Sequence, residues 1–140
     1  MTTALKAGTI YFAIIYLIGF MLGTMRVLLL APRIGEMAAV LIETPIMLAA
    51  SWIVSGSCTR RFGVLSEIQP RLVMGGVGFV LLMLGEVGVS MAAFGRSWEG
   101  TLAALLSPPG LIGLSAQVAF GLLPLLQALL ERKRGQAPRV

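Results

Sequence analysis

The 140-residue sequence contains no histidine and no aspartate, and Cys58 is its single cysteine. One chain therefore cannot assemble a disulfide framework, a Cys or His metal site, or bis-histidine haem ligation. Ser57 and Cys58 have no acid or base partner in the sequence that would support a nucleophilic mechanism. We therefore expect no catalytic residues, no metal site and no cofactor.

Charged residues are also scarce, at 12% of the chain, whereas 57% of the residues are hydrophobic and the mean hydropathy is +0.92. These values lie outside the range of soluble globular domains, so the composition excludes a water-soluble enzyme and a disordered tail. We expect a multi-pass protein of an inner or plasma membrane, with the lipid bilayer as its main partner.

Four apolar runs are each long enough to cross a bilayer, which needs about 20 residues of helix. They cover residues 7–30, 35–54, 72–94 and 110–130 approximately. The period-two alternation typical of a membrane barrel is absent from them. The sequence therefore predicts an all-α polytopic membrane protein: a single domain, residues 1–140, built as an antiparallel bundle of four transmembrane helices.

The connections between the runs differ in length and composition. Residues 31–34 predict a tight turn that makes the first two helices antiparallel neighbours. Residues 55–70 predict a longer polar connection. The apolar segment 102–106 is compatible either with a short helix at the membrane interface or with a simple loop.

The basic residues are distributed unequally between the two predicted faces. Eight lie on one face: Lys6, Arg60, Arg61, Arg71, Arg132, Lys133, Arg134 and Arg139. The other three, Arg26, Arg33 and Arg96, lie on the opposite face. The positive-inside rule then places both termini in the cytoplasm. Topology thus explains the net charge of +5 without a nucleic acid partner. The basic run Arg132, Lys133 and Arg134 can bind anionic lipid headgroups. Alternatively, it only ends the last helix at the membrane interface.

Each predicted helix places one polar residue at a similar depth, roughly 8–12 Å below the outer surface at about 1.5 Å per residue. These residues, which we name the outer polar layer, are Arg26, Glu43, Glu86 and Gln117. Ionisable groups at such depths are costly unless they are paired or hydrated. One arginine cannot neutralise two carboxylates, so we expect one glutamate to carry a proton, or a cation or water to be present.

The outer polar layer has two interpretations. Arg26 and Glu43 can form a structural ion pair that fixes helix register. Alternatively, the layer can bind a proton or a cation. Arg33 and Glu36 flank the predicted outer turn and are expected to pair there, either as an entry port or as a solvated helix start favoured by the helix dipole.

Glycines are frequent on two of the predicted helices. Gly19 and Gly23 form a Gly-x-x-x-Gly spacing, and Gly75, Gly78 and Gly85 lie along the third helix. Small residues permit close helix contacts, either within the chain or between copies.

Together these features predict a noncatalytic integral membrane protein. Its expected role is an accessory or self-associating subunit, in a homo-oligomer or a larger membrane complex, whose Arg/Glu layer fixes helix register. The alternative is a small proton- or cation-coupled transporter or channel that uses Glu43 and Glu86.

Overall fold

The computed structural model describes residues 1–136, and side chains up to residue 135. Within that part of the chain all regular secondary structure is helical, which confirms the prediction of an all-α fold. Its five helices are α1 (Thr2–Ile34), α2 (Glu36–Phe62), α3 (Ile68–Ala92), α4 (Trp98–Leu106) and α5 (Pro108–Gln136). All except α4 are long and apolar enough to cross a membrane, as the sequence predicts. Arg139, one of the eight basic residues assigned to the cytoplasmic face, lies outside the described residues.

The first turn is shorter than predicted, because residues 31–34 continue α1 and the chain reverses at Gly35 alone. Gly35 has φ +85°, a conformation that a residue without a Cβ adopts readily. The preceding segment, Arg26–Leu30, is π-helical, and the Ala31 amide donates to the Arg26 carbonyl. Pro32 has no N–H, and its ring crowds the carbonyl of residue 28, which accounts for the wider turn before it.

The middle connection is also shorter than the predicted 55–70, because α2 continues to Phe62. Two arginines in its last turn interact favourably with the carbonyl end of the helix. Gly63 then adopts a left-handed conformation with φ +62°, and the Val64 amide donates to the Thr59 carbonyl at 2.9 Å. This geometry is a common way to end a helix. The connection between α2 and α3 therefore consists only of residues 63–67.

The apolar segment before α5 is helical, which decides between the two alternatives predicted for it. The Ser97 side chain caps α4 by accepting from the Gly100 amide at 3.1 Å. Thr101 is buried, and its hydroxyl lies 3.2 Å from that of Ser90 on α3. The short helix is therefore held against α3.

The four long helices form a ring in which α1 and α5 each contact both α2 and α3. Close backbone approach is clearest between α3 and α5, where a Cβ at Gly75 would collide with the Gly121 carbonyl. The buried core is concentrated at one end of the bundle, and no residue of α1 after Ile15 is buried. The core residues are Ala4, Ala7, Tyr11, Ile15, Cys58, Val64, Met74, Leu82 and Phe120. The opposite end, which holds the outer polar layer, is packed more openly.

Candidate functional site

Arg26 and Glu43 form an ion pair between α1 and α2, with Arg26 Nε 2.6 Å from Glu43 Oε2. The two side chains are only 25% and 17% exposed. The Nε–H is not aimed well enough at the oxygen to count as a hydrogen bond, and it has no other acceptor among the described residues. The contact is therefore held by charge. Arg26 is also the first residue of the π-helical segment, which sets where its side chain leaves α1.

Glu86 on α3 belongs to the same neighbourhood. The Gln117 side chain of α5 lies beside its carboxyl, and the charges of Arg26 and Glu43 also act on that carboxyl. Glu86 therefore lies within electrostatic range of polar side chains on the other three long helices, and Leu82, one turn earlier on the same face of α3, is buried. Its side chain is nevertheless exposed. We name the partly exposed region between these side chains the outer crevice and define it by Arg26, Glu43, Glu86 and Gln117.

The outer crevice holds more negative than positive charge. Two carboxylates and one guanidinium give it a formal charge of −1, and Glu86 forms no ion pair within the described part of the chain. The side-chain oxygen Oε1 of Gln117 is buried and has no hydrogen-bond partner there. The site therefore presents an unpaired carboxylate and an unsatisfied amide oxygen from facing helices.

The predicted pair of Arg33 and Glu36 is not brought together. Both side chains are exposed, and neither takes part in an ion pair among residues 1–135. Gly35 lies between them with φ +85° and ψ 157°, so Arg33 lies in the last turn of one helix while Glu36 begins another that runs in a different direction.

The predicted glycine contacts divide into two groups. Gly75, Gly78 and Gly85 pack within the chain, and a Cβ at Gly85 would lie 2.8 Å from Cε2 of Tyr16. Gly19 faces the end of the Met47 side chain, where a Cβ would lie 3.2 Å from Met47 Cε. Gly23 has no atom within 4 Å of the position of a Cβ, so it makes no close packing contact in the described structure.

A second polar cluster, at the other end of the bundle, escaped sequence reasoning. Arg71 is only 2% exposed, and its Nη2 lies 2.9 Å from Glu131 Oε2 on α5. Arg71 also donates to the Leu65 carbonyl and the Ser66 hydroxyl, and Ser66 in turn bonds to Glu131. Arg71 therefore ties the α2–α3 connection to the end of α5. An acid at position 131, inside an otherwise basic segment, is the sequence signal that could have revealed this cluster.

Arg132 contributes to the same end of the bundle, since its Nε donates to the Ser66 carbonyl at 2.8 Å. Of the three residues predicted to meet anionic lipid, Arg132 is thus partly engaged within the protein. All three, Arg132, Lys133 and Arg134, remain exposed.

Gln127 joins α5 to α2 and was also not predicted. It accepts from the Ser55 hydroxyl and donates to the Trp52 carbonyl, both at 2.8 Å. Both of its polar groups are therefore satisfied, in contrast to Gln117, whose Oε1 has no partner within the described residues.

Metal-ligating residues do not cluster in the described part of the chain, where no group of three or more Cys, His, Asp or Glu side chains could hold a metal ion. Cys58 is buried and free. Comparison with protein families, curated proteins and solved structures gave no match. Function is therefore inferred from the outer crevice and the helices that form it.

Proposed function

We propose that this chain is a noncatalytic, multi-pass membrane protein that acts as an accessory or self-associating subunit of a membrane assembly. The ion pair of Arg26 and Glu43, at 2.6 Å, is the observation that carries the proposal. It joins two membrane-capable helices by charges that are costly to leave unpaired in hydrocarbon. Sliding α1 along α2 by one turn would separate those charges by about 5 Å, so the pair specifies one register.

The order of contacts along the chain supports an antiparallel bundle. Arg26 lies beside Glu43, whereas Gly19, earlier in α1, lies near Met47, later in α2. The residue numbers thus run in opposite directions, and the same holds for the contacts of α3 with α5. The beginning of α1 and the described end of α5 lie on the same side of the bundle as the second polar cluster, which contains Arg71. The positive-inside rule therefore favours cytoplasmic termini.

Glycines on the outside of the bundle support self-association. Gly76 and Gly88 are exposed on α3, and neither has an atom within 4 Å of the position of a Cβ. Small residues on a lipid-facing helix allow another helix to approach its backbone closely. A second copy, or a helix of a larger assembly, could therefore pack against this face.

The proposal is tested with the full-length protein. We expect it to stay in the membrane fraction after an alkaline wash, and to elute from size-exclusion chromatography in mild detergent either as an oligomer or with a stoichiometric membrane partner. Liposomes that contain a pH-sensitive dye should show no proton flux that depends on Glu43 or Glu86. Flux that disappears in Glu43→Gln and Glu86→Gln would contradict the subunit role and favour a transporter.

A further inference from the structure

We propose that the outer crevice binds one monovalent cation, held by the Glu86 carboxylate and the amide oxygen of Gln117. This site goes beyond the subunit role, because helix register requires only Arg26 and Glu43. The crevice lacks one positive charge, contains an unsatisfied acceptor, and is open at one end and closed at the other.

Glu86 is the one carboxylate of the crevice that has no ion-pair partner among the described residues. Arg26 is matched by Glu43 at 2.6 Å, and the other ion pair among the described residues lies at the opposite end of the bundle. An ionised carboxylate within a membrane span costs free energy when no positive charge lies beside it, even where the side chain is accessible. A single positive charge would make the crevice neutral.

Gln117 supplies a second, independent indication. Its Oε1 atom is buried without a hydrogen-bond partner within the described part of the chain, which is costly for an amide oxygen. The same side chain lies beside the Glu86 carboxyl. Carboxylate and amide oxygens are the ligands that hard cations take in proteins. They also accept hydrogen bonds from an ammonium group.

Access is possible from the outer end of the bundle. Glu86 is exposed although it has neighbours on three other helices, and α1 buries no residue beyond Ile15 at this end. The opposite direction is closed by apolar side chains. Leu82 lies one turn before Glu86 and is 7% exposed, and Phe120 lies nearly one turn after Gln117 and is 2% exposed. The crevice is therefore a one-ended site rather than a passage.

The occupant carries a single positive charge, because that is the charge the crevice lacks. A proton, an alkali ion and a small ammonium ion share this chemistry, and each can be tested separately. Purified full-length protein is unfolded by heat in detergent, with the fluorescence of Trp52 and Trp98 as the signal. Sodium, potassium and methylammonium chloride are each titrated at constant pH and ionic strength, and a separate series varies the pH at constant salt.

We expect a saturating rise in the unfolding midpoint, by about 4 °C when the cation is at tenfold its dissociation constant. If the rise follows one of the salts, that cation is the ligand; if it follows pH alone, the ligand is the proton. In either case Glu86→Gln should abolish the rise. Glu36→Gln removes an exposed carboxylate at the same end of the protein and should leave it intact.

Identical responses of the parent and Glu86→Gln to every salt and to pH would overturn the proposal. An equal loss in Glu36→Gln would also overturn it, because the response would then be a general surface-charge effect. Should Glu86→Gln fail to fold, Gln117→Met keeps every charge and removes only the amide; we expect its half-saturating concentration to rise roughly tenfold. An unchanged value would overturn the proposed site. Cation binding without flux leaves the subunit role standing.

Discussion

Tyr11 on α1 donates a hydrogen bond from its phenol hydroxyl to the Phe120 carbonyl on α5, at 3.0 Å, and the two rings stack with centroids 4.2 Å apart. Phe120 lies four residues before Pro124, which has no N–H to offer its carbonyl. Tyr11 therefore supplies the donor that the proline removes. Because α1 and α5 are opposite one another in the ring of helices, this side chain reaches across the core.

Substitution Tyr11→Phe is expected to lower the free energy of unfolding by about 1–3 kcal/mol, because the Phe120 carbonyl loses a donor in a turn where Pro124 has no N–H to replace it. Tyr16→Phe is the matched control, since Tyr16 donates to the Gly85 carbonyl at 3.0 Å. Gly85 lies in a stretch of α3 without proline, where residue 89 has an N–H. We therefore expect the control to cost only about 0.5–1.5 kcal/mol. Denaturation by SDS in mixed micelles measures both.

A double-mutant cycle tests whether the missing N–H of Pro124 makes the Tyr11 hydrogen bond more important. Pro124→Ala restores an N–H at that position, so Tyr11→Phe should cost less in this background than in the parent. Equal costs in both backgrounds, or a larger loss for Tyr16→Phe than for Tyr11→Phe, would contradict the assignment.

Much of the fold was predictable, because long apolar runs can cross a bilayer only with every backbone group hydrogen-bonded. The contact of Tyr11 with Phe120 was not. Depth counted along each helix says nothing about which helices are neighbours and which are opposite. The helix ends were also predicted imprecisely, because α2 continues through polar residues to Phe62 and stops only at a left-handed glycine.

The candidate site was predictable to a similar extent. Arg26 and Glu43 lie at similar depths on helices joined by a short turn, so their proximity follows from the sequence. The exposure of Glu86 does not, because it depends on how far apart the helices stand at the outer end. The pair of Arg71 and Glu131 was missed because the third span was predicted to begin at residue 72, whereas α3 begins at Ile68.

Gly75 on α3 lies so close to α5 that a Cβ there would collide with the Gly121 carbonyl. We expect Gly75→Ala to destabilise the protein by about 1–3 kcal/mol, since backbone atoms cannot move aside as a flexible side chain can. Gly113→Ala on α5 is the control, because its Cβ would enter open space. Alanine there should be neutral or stabilising by about 0.5–1 kcal/mol through helix propensity. Thermal unfolding of both variants checks the prediction, and similar midpoints would contradict the close approach of α3 and α5.

Glu131 pairs with Arg71, whose side chain is only 3% exposed, although Glu131 itself is 47% exposed. Glu131→Gln should leave a buried guanidinium without its charge partner. Solvent around Glu131 reduces the loss to about 1–3 kcal/mol, below that of a fully buried pair. Glu99→Gln changes an exposed glutamate on α4 and should have little effect. Equal midpoints for the parent and Glu131→Gln in thermal unfolding would show that the pair does not hold the α2–α3 connection.

Arg26 and Glu43 should show strong coupling, because each leaves an uncompensated charge when the other is removed. We expect Arg26→Leu and Glu43→Leu each to lower the free energy of unfolding by about 2–4 kcal/mol. The double variant should lose less than the sum, by at least about 1 kcal/mol. The two single losses should also differ. Arg26→Leu leaves Glu43 and Glu86 facing each other without a cation, whereas Glu43→Leu leaves Arg26 close to Glu86.

The Arg26→Leu variant should therefore be the less stable of the two, and added cation should partly restore it, since a bound positive charge replaces the lost guanidinium. Glu43→Leu should show no such rescue. Denaturation of the four proteins of the cycle by SDS, with and without the cation identified for the parent, measures both effects. Additive losses would mean that the charges act independently and that the 2.6 Å contact does not set the register of α1 against α2.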